Sequence, residues 1–354
     1  MDFVFNRPEP LDFEAEVVPF AKRTLPQAAI DDLRAGRHVL IQDFYSSGLV
    51  LLSEIRRGVN HHYADRSYRG QRENRAAFRD LLSRILLHVK GNRLQVRKAP
   101  EIGWLSDLYP DVSDFLLSFP QVQGLNSSWQ WYQKGISIPT LKEKLFPYYG
   151  TYFPTRFEHL QLFEDWLSDY TGSKETAIDV GVGCGVITYQ LLEDGFEKVF
   201  ATDINPNAIY GMQQSLKGKD LAARVELARG DLFATSDRQA DLIVFNPPWL
   251  PLEEGKTGIE QAMYHAADLL PRFFAEAPKH LKPGGRLVLM FSNLAQITGQ
   301  AKANPIDVEI KHGGRFVKDS FVNSKVGSAS NKTRRNQSWR GDELVELWVL
   351  KPAL

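Results

Sequence analysis

The chain has 354 residues, enough for two domains. Hydrophobic residues make up 43% and charged residues 24%, and 43 basic side chains balance 43 acidic ones, which excludes a disordered or fibrous chain. A single cysteine, Cys184, excludes an internal disulfide and a cysteine-rich zinc site.

No apolar run approaches the length needed to span a bilayer, and Met1 to Asn6 lack the basic and apolar regions of a secretory signal. The expected setting is the cytoplasm, with no membrane partner and no metal. The neutral total hides an uneven distribution. Glu54 to Lys98 carries 12 Lys/Arg against 4 Asp/Glu, and Lys311 to Arg340 carries 8 against 1. Between them, Glu158 to Ile310 carries 22 acidic and 13 basic residues. Such asymmetry fits either an acidic partner such as nucleic acid or basic flanks that balance an acidic centre.

In chain order, helical signals come first, over Gln27–Gly36 and Gly48–Arg57, with a strand-like run from His38 to Phe44. The segment "AFRDLLSRILLHVK" places Phe78, Leu81, Leu82, Ile85, Leu86 and Val89 at amphipathic-helix spacing. Residues 1–118 therefore read as a mainly helical domain. Residues 119–150 read as an aromatic-rich linker or lid, dense in Trp129, Trp131, Tyr132, Phe146, Tyr148 and Tyr149. Such a run can pack a seam between domains or wall a pocket.

Residues 151–354 alternate strand and helix signals, the pattern of a mostly parallel sheet with helices on both faces. "TAIDVGVGCGVITYQLL" is a strand, then Gly181, Gly183 and Gly185 at alternate positions, then a helix. Glycines there let the backbone turn sharply and approach a ligand that a Cβ would exclude. "KVFATDINPNAI" is a second strand ending in Asp203, which suits the hydroxyls of a ribose. "RVELARGDLF" is a third, ending at Asp231, which suits an adenine amino group, with Phe233 near the ring. "DLIVFNPPWLPLEEG" is a fourth. It stops at Asn246-Pro247-Pro248-Trp249, because proline cannot donate to a sheet ladder. "HLKPGGRLVLMFSN" gives a Pro-Gly-Gly turn and a fifth strand, and "DELVELWVL" a last one after a basic insertion at 311–340.

These motifs, in this order and spacing over roughly residues 148–295, resemble class I S-adenosylmethionine-dependent methyltransferases. The Asn-Pro-Pro-aromatic member resembles the group that methylates planar nitrogens, above all the protein-glutamine N5-methyltransferase and small-methyltransferase-domain group. The resemblance implies a Rossmann-like sheet and S-adenosyl-L-methionine as cofactor. It implies cofactor contacts from Asp179, Gly181, Gly183, Gly185, Asp203, Asn205, Asp231, Leu232 and Asn246. It also implies contacts from Phe153, Thr155 and Arg156 in the segment "GTYFPTRFEHL", which in such enzymes folds over the cofactor. The chain differs from the glutamine methyltransferases in its larger amino-terminal region and its basic stretch before the last strand.

The chemistry of the Asn-Pro-Pro-Trp loop follows from its residue types. An amide or aromatic NH₂ is a poor nucleophile because its lone pair is delocalised. Two acceptors on its hydrogens, the Asn246 side-chain carbonyl and the Pro247 backbone carbonyl, favour the tetrahedral geometry of attack. Acceptors fixed beforehand need no reorganisation, and Trp249 offers a face on which a planar group can stack. Glu253, Glu254, Tyr149 and Tyr152 are the further candidates for substrate contact. Asn246, Pro247 and Trp249 are the catalytic candidates. Arg156 suits either the cofactor carboxylate or an acid of the core, and Cys184 suits packing. The acceptor is a protein side-chain amide or an exocyclic amine of an RNA or DNA base. A small guanidino or amino-acid metabolite is the alternative, and a non-catalytic cofactor-binding scaffold is an alternative of another class.

Overall fold

The computed structural model describes residues 4–11, 16–62, 78–233, 237–251, 264–327 and 341–353. Two compact units emerge. One is Arg7–Gln133, and the other joins Met1–Asn6 to Lys134–Leu354.

The first unit has helices at Pro26–Arg34, Tyr45–His62 and Phe119–Lys134. Helices hold more of its residues than strands do, but a five-stranded mixed sheet organises its core, and no such sheet was expected from the sequence. The strands are β1 (Val17–Phe20), β2 (His38–Ile41), β3 (Ile85–Lys90), β4 (Arg93–Leu94) and β5 (Asp114–Ser118). The helix expected through residue 90 stops early. Residues 78–83 are helical, and Ile85 to Lys90 then pair in parallel with β2 and antiparallel with β5. The physical reason is the turn that follows. Gly91 and Asn92 both have positive φ, 55° and 62°, and link Lys90 to its cross-strand partner Arg93. A two-residue loop with both central residues in that region is a hairpin turn matched to strand twist. Leu86 and Leu87 are both buried, as a strand covered on two faces requires.

The aromatic stretch expected as a linker at 119–150 divides instead. Phe119, Val122 and Leu125 of the last helix are buried in the first unit, and Trp129 and Tyr132 pack against Trp104 with centroids 5.1 and 4.7 Å away. Tyr148 belongs to the second unit, where it meets Phe5 and Tyr210 at 5.9 and 5.0 Å. Aromatic density marked packing, but only the contacts assign each ring to a core.

The second unit is a seven-stranded sheet in the order β13-β14-β12-β9-β6-β7-β8. Its strands are β6 (Thr176–Val180), β7 (Lys198–Asp203), β8 (Val225–Arg229), β9 (Ala240–Phe245), β12 (Leu281–Ser292), β13 (Phe316–Lys325) and β14 (Leu344–Pro352). The short strands β10 (Leu250–Pro251) and β11 (Tyr264–His265) pair with each other outside it. The five strands from β12 to β8 are parallel. β14 runs antiparallel to β12, and β13 antiparallel to β14. β13 lies inside the span expected to be a basic insertion, so the first half of that span is a sheet edge. The rest of it, including Arg334 and Arg335, lies outside the described residues.

Helices cover both faces. Leu160, Phe163, Ile187, Leu191, Ile209 and Met212 pack on one. Leu270, Phe273, Phe274 and Ile306 pack on the other. All six residues of β9 are buried, as a central parallel strand covered on both sides requires. Strand order reverses between β6 and β9, and the crevice beyond the carboxyl ends at such a point is where open α/β sheets bind ligands.

Candidate active site

The glycine loop leaves the carboxyl end of β6. Gly181, Gly183 and Gly185 have φ of 76°, 52° and 91°, a region that side chains with a Cβ rarely occupy. A Cβ on Gly183 would lie 3.3 Å from the Tyr152 carbonyl, and one on Gly185 would lie 2.2 Å from the Met212 sulfur. The 150–156 segment therefore runs directly over the loop. Asp203, at the end of β7, ties the two strand ends together. It accepts the Gly183 N–H at 2.9 Å on one oxygen and the Asn205 N–H at 2.8 Å on the other. Burial pushes its carboxyl upward despite these two donors. A backbone cradle closed to a Cβ, beside an acid with lone pairs to spare, fits a ribose-bearing cofactor.

Asn205, expected at the cofactor, is taken up by the fold. Its side-chain oxygen accepts from the Asn207 N–H at 3.1 Å and caps the helix Pro206–Leu216. The same oxygen accepts from Asn6 at 3.0 Å, and its amide donates to the Gly150 carbonyl at 2.9 Å. Asn207 is fully buried and is matched by both backbone groups of Asn6, at 2.9 and 2.8 Å. Asn6 gave no signal in the sequence, because its partners lie about two hundred residues away.

Asp179 is fully buried under the loop. It accepts the Thr188 hydroxyl at 2.6 Å on one oxygen, while the other has no partner among the described residues. Burial, aided by the nearby Asp203 charge, pushes its carboxyl up to about 7. Cys184 is likewise pushed up to about 12 by burial, so it stays a thiol and packs, as expected. Leu232 has φ 50°, and its carbonyl accepts the Thr202 hydroxyl, so its backbone is fixed beside β7. Asp231 sits exposed at the end of β8, held by Arg272, which also binds Asp268. Phe233, expected near an adenine ring, instead stacks on Phe273 and His280 at 5.4 and 4.3 Å and belongs to the core.

The Asn-Pro-Pro-Trp loop leaves β9 across the crevice from the glycine loop. Asn246 is half-buried and Pro247 buried. The indole N–H of Trp249 donates to the Asn246 side-chain oxygen at 3.1 Å. That bond orients the amide and leaves one lone pair of the oxygen free, since a carbonyl oxygen has two. Trp249 is thus tied to Asn246 through its N–H. The ring is met edge-on by His159, with centroids 5.3 Å apart. His159 is 2% exposed, neither ring nitrogen has a partner among the described residues, and burial pushes it down to about 4, so it is neutral. Nothing in spacing or composition marks His159 for this place.

Over the glycine loop, Tyr149 and Tyr152 are each pushed up to about 12 by burial and remain phenols. Phe153 packs on the core and Thr155 is exposed. Arg156 binds the buried Glu343 at 3.1 Å, so an acid of the core is its partner here. Glu253 and Glu254 lie outside the described residues. Among the described residues, no group of three or more His, Cys, Asp or Glu side chains is placed to hold a metal.

A parallel sheet with an antiparallel carboxyl-terminal pair, a glycine loop after its first strand and an Asn-Pro-Pro-Trp turn after its fourth is the arrangement of a Rossmann-like methyltransferase. Comparison narrows the class. Residues 161–300 match the model of the methyltransferase small domain. A protein of Methanocaldococcus jannaschii, provisionally named a protein N5-glutamine methyltransferase, is 30% identical over 150 residues, covering 39% of this chain and 73% of that one. The ribosomal RNA small subunit methyltransferase C of Alcanivorax borkumensis is 34% identical over 119 residues, 34% of this chain and 33% of its own. The release factor glutamine methyltransferase of Cereibacter sphaeroides is 33% identical over 126 residues, 32% of this chain and 45% of its own. This chain therefore spans less than half the length of the last two. The chain belongs to the methyltransferase small domain family and is a methyltransferase.

Proposed function

We propose that the chain is an S-adenosylmethionine-dependent N-methyltransferase whose acceptor is a planar nitrogen, a protein side-chain amide or an exocyclic amine of an RNA base. The observation that carries this reading is the fixed amide of Asn246 at the end of β9, oriented by Trp249 and facing the crevice where strand order reverses. S-adenosylmethionine, when bound, supplies a methyl group made electrophilic by its sulfonium. Gly181, Gly183 and Gly185 give it room, and Asp203 accepts from its ribose. Asp231 is free to accept from adenine only if Arg272 shares it.

Asn246 and Pro247 do the work on the acceptor. Their two carbonyls take the two hydrogens of the NH₂ group and draw its nitrogen toward a tetrahedral shape. Carbonyls held before the acceptor arrives add no reorganisation cost. Holding the nitrogen in line with the methyl group is the rest of the task. The product nitrogen then releases a proton to water, and no strong base is needed. Relatives with protein and RNA acceptors both support the two acceptor types, and translation in the cytoplasm is the setting this reading implies. Among the described residues no helix is long and apolar enough to cross a membrane.

The test is methyl transfer from labelled S-adenosylmethionine to separate pools of ribosomal RNA, ribosomal proteins, release factors and free amino acids. Label in an amide or an exocyclic base amine supports the reading. Label only on oxygen or carbon overturns it. Calorimetry should show S-adenosylmethionine bound in preference to a nicotinamide dinucleotide.

A further inference from the structure

Beyond the transfer site, the second unit holds a groove that no step above uses. It lies between the β13–β14 pair and the turn of chain after β12, with a cavity of about 630 Å³. Its floor is set by strand alternation. Glu346 and Trp348 are two apart on β14 and share a face, and Phe321 pairs with Trp348 from β13. The Phe321 and Trp348 rings lie 4.3 Å apart, Trp348 buried and Phe321 half-exposed. Its rim carries exposed cations, Lys302, Lys311 and Lys318. Lys311 is 4.0 Å from Asp307, while Lys302 and Lys318 form no ion pair among the described residues.

Glu346 is the unusual member. It is 8% exposed, and its Oε2 accepts both the Asn304 amide at 2.7 Å and the Trp348 indole N–H at 2.8 Å. Its Oε1 has no hydrogen-bond partner among the described residues. Burying a carboxylate is costly unless its hydrogen bonds are met. Here half of it is met, and the other half lines the cavity.

An occupant must satisfy opposite demands. It needs negative charge at the rim, a flat face over Phe321, and a hydrogen-bond donor for Glu346. An acidic peptide meets the first and is repelled by Glu346. A basic peptide meets the last and is repelled by the lysines. A nucleotide meets all three, with its phosphate, its ring and the exocyclic amine or ring N–H of its base. Single-stranded nucleic acid is held in this way, by cations along the backbone and aromatic faces under the bases.

We infer that this groove binds a single-stranded segment of RNA. The proposal names a partner for the enzyme described above and rests on that reading only for the groove's use. The groove lies level with the Asn246 loop, two strands over from β9. Trp348 is level with Leu289, and Leu289 is level with Phe245, the residue before Asn246. A strand held there runs beside the transfer site.

The test is fluorescence anisotropy of a labelled single-stranded RNA of mixed sequence, without cofactor, over a range of salt. The parent protein should bind, with affinity falling steeply as salt rises. Lys302→Glu with Lys318→Glu should weaken binding at least tenfold at low salt. Each lost phosphate contact should lower the log–log salt slope by about 0.7. Phe321→Ala should weaken binding about fivefold or more, the loss of one stacked base. Unchanged melting temperature and unchanged S-adenosylmethionine affinity would place these losses in the groove. RNA binding that survives both changes overturns the inference, as does binding removed only by Arg334→Glu with Arg335→Glu. Absent RNA binding, or tighter binding of an acidic peptide, overturns it as well. None of these results bears on methyl transfer, so a failed groove and a failed transfer reading are told apart.

Discussion

Asn246 is the residue where binding and chemistry separate. Asn246→Ala removes an acceptor for the NH₂ group but leaves Asp203 and the glycine loop intact. S-adenosylmethionine affinity should hardly change, while kcat falls about a hundredfold or more, the usual loss for a preorganised polar partner. Asn246→Asp keeps the size and the acceptor and should retain more activity than the alanine variant. A loss of cofactor binding in the alanine variant would make the loop structural. Trp249→Phe probes the same amide from behind. It keeps an aromatic ring and removes the N–H that orients Asn246, together with part of the indole's area. One hydrogen bond of this kind is worth roughly 1 kcal/mol, so kcat should fall about threefold to tenfold with KM nearly unchanged. A matching rise in KM would mean that the ring face, not the N–H, is what matters. Asp179 gives a pH signature. Its carboxyl is pushed up to about 7 in the fold from about 4 in the unfolded chain. Between those values the folded state holds a proton that the unfolded state has lost. Its contribution to stability is therefore full below about pH 4 and falls as pH rises to about 7. Urea unfolding from pH 4 to 8 should show this decline in the parent and a flatter profile in Asp179→Asn. Parallel profiles would show that Asp179 is already ionised at pH 5.

At the scale of the element, the glycine loop and the β3–β4 hairpin carry the same lesson in opposite directions. The glycines were legible because only glycine tolerates three positive φ angles in five residues of a loop that approaches a ligand. Gly183→Ala should destabilise the protein by about 1–2 kcal/mol, the cost of a left-handed conformation for a residue with a Cβ. It should also weaken S-adenosylmethionine binding, since the new Cβ points at the Tyr152 carbonyl. Thermal melting and calorimetry read the two effects separately, and an alanine variant with parental affinity would place the cofactor elsewhere. The hairpin was misread because Ile85, Leu86 and Val89 satisfy helical spacing and also a strand buried on both faces. A short apolar run does not distinguish the two. The Gly91-Asn92 turn does, and it lies just past Lys90, where the helical spacing ends.

At the scale of the molecule, the amino terminus closes the methyltransferase unit. Asn6 meets Asn207, and Phe5 meets Tyr148 and Tyr210, although about two hundred residues separate Asn6 from its asparagine partner. Deleting residues 1–6 leaves the buried Asn207 oxygen without its donor. An unmet buried polar group costs about 1–3 kcal/mol. Thermal melting should fall by several degrees, more than in the Asn246→Ala loop variant. A deletion with parental melting would show that the terminus only rests on the unit. The boundary at Gln133–Lys134 belongs to this scale too. The aromatic run from Trp129 to Tyr149 is continuous in sequence, but its members serve two cores.

What the sequence determined by itself is the part of the protein written in local rules. Alternating strand and helix patterns specify the parallel sheet. Glycine spacing specifies the loop after β6, and proline the end of β9. Acids mark the strand ends, since Asp203 is the last residue of β7 and Asp231 lies two residues past β8. The tertiary structure decided everything that depends on which distant groups meet. It gave Asn205 to a helix cap and Arg156 to Glu343. It set Phe233 in the core, and His159 against Trp249. It turned half of a basic span into an edge strand whose Phe321 covers Trp348. Hydrogen bonds and burial between residues far apart in the chain leave no trace in spacing or composition, since they depend on the fold being complete before the partners are neighbours.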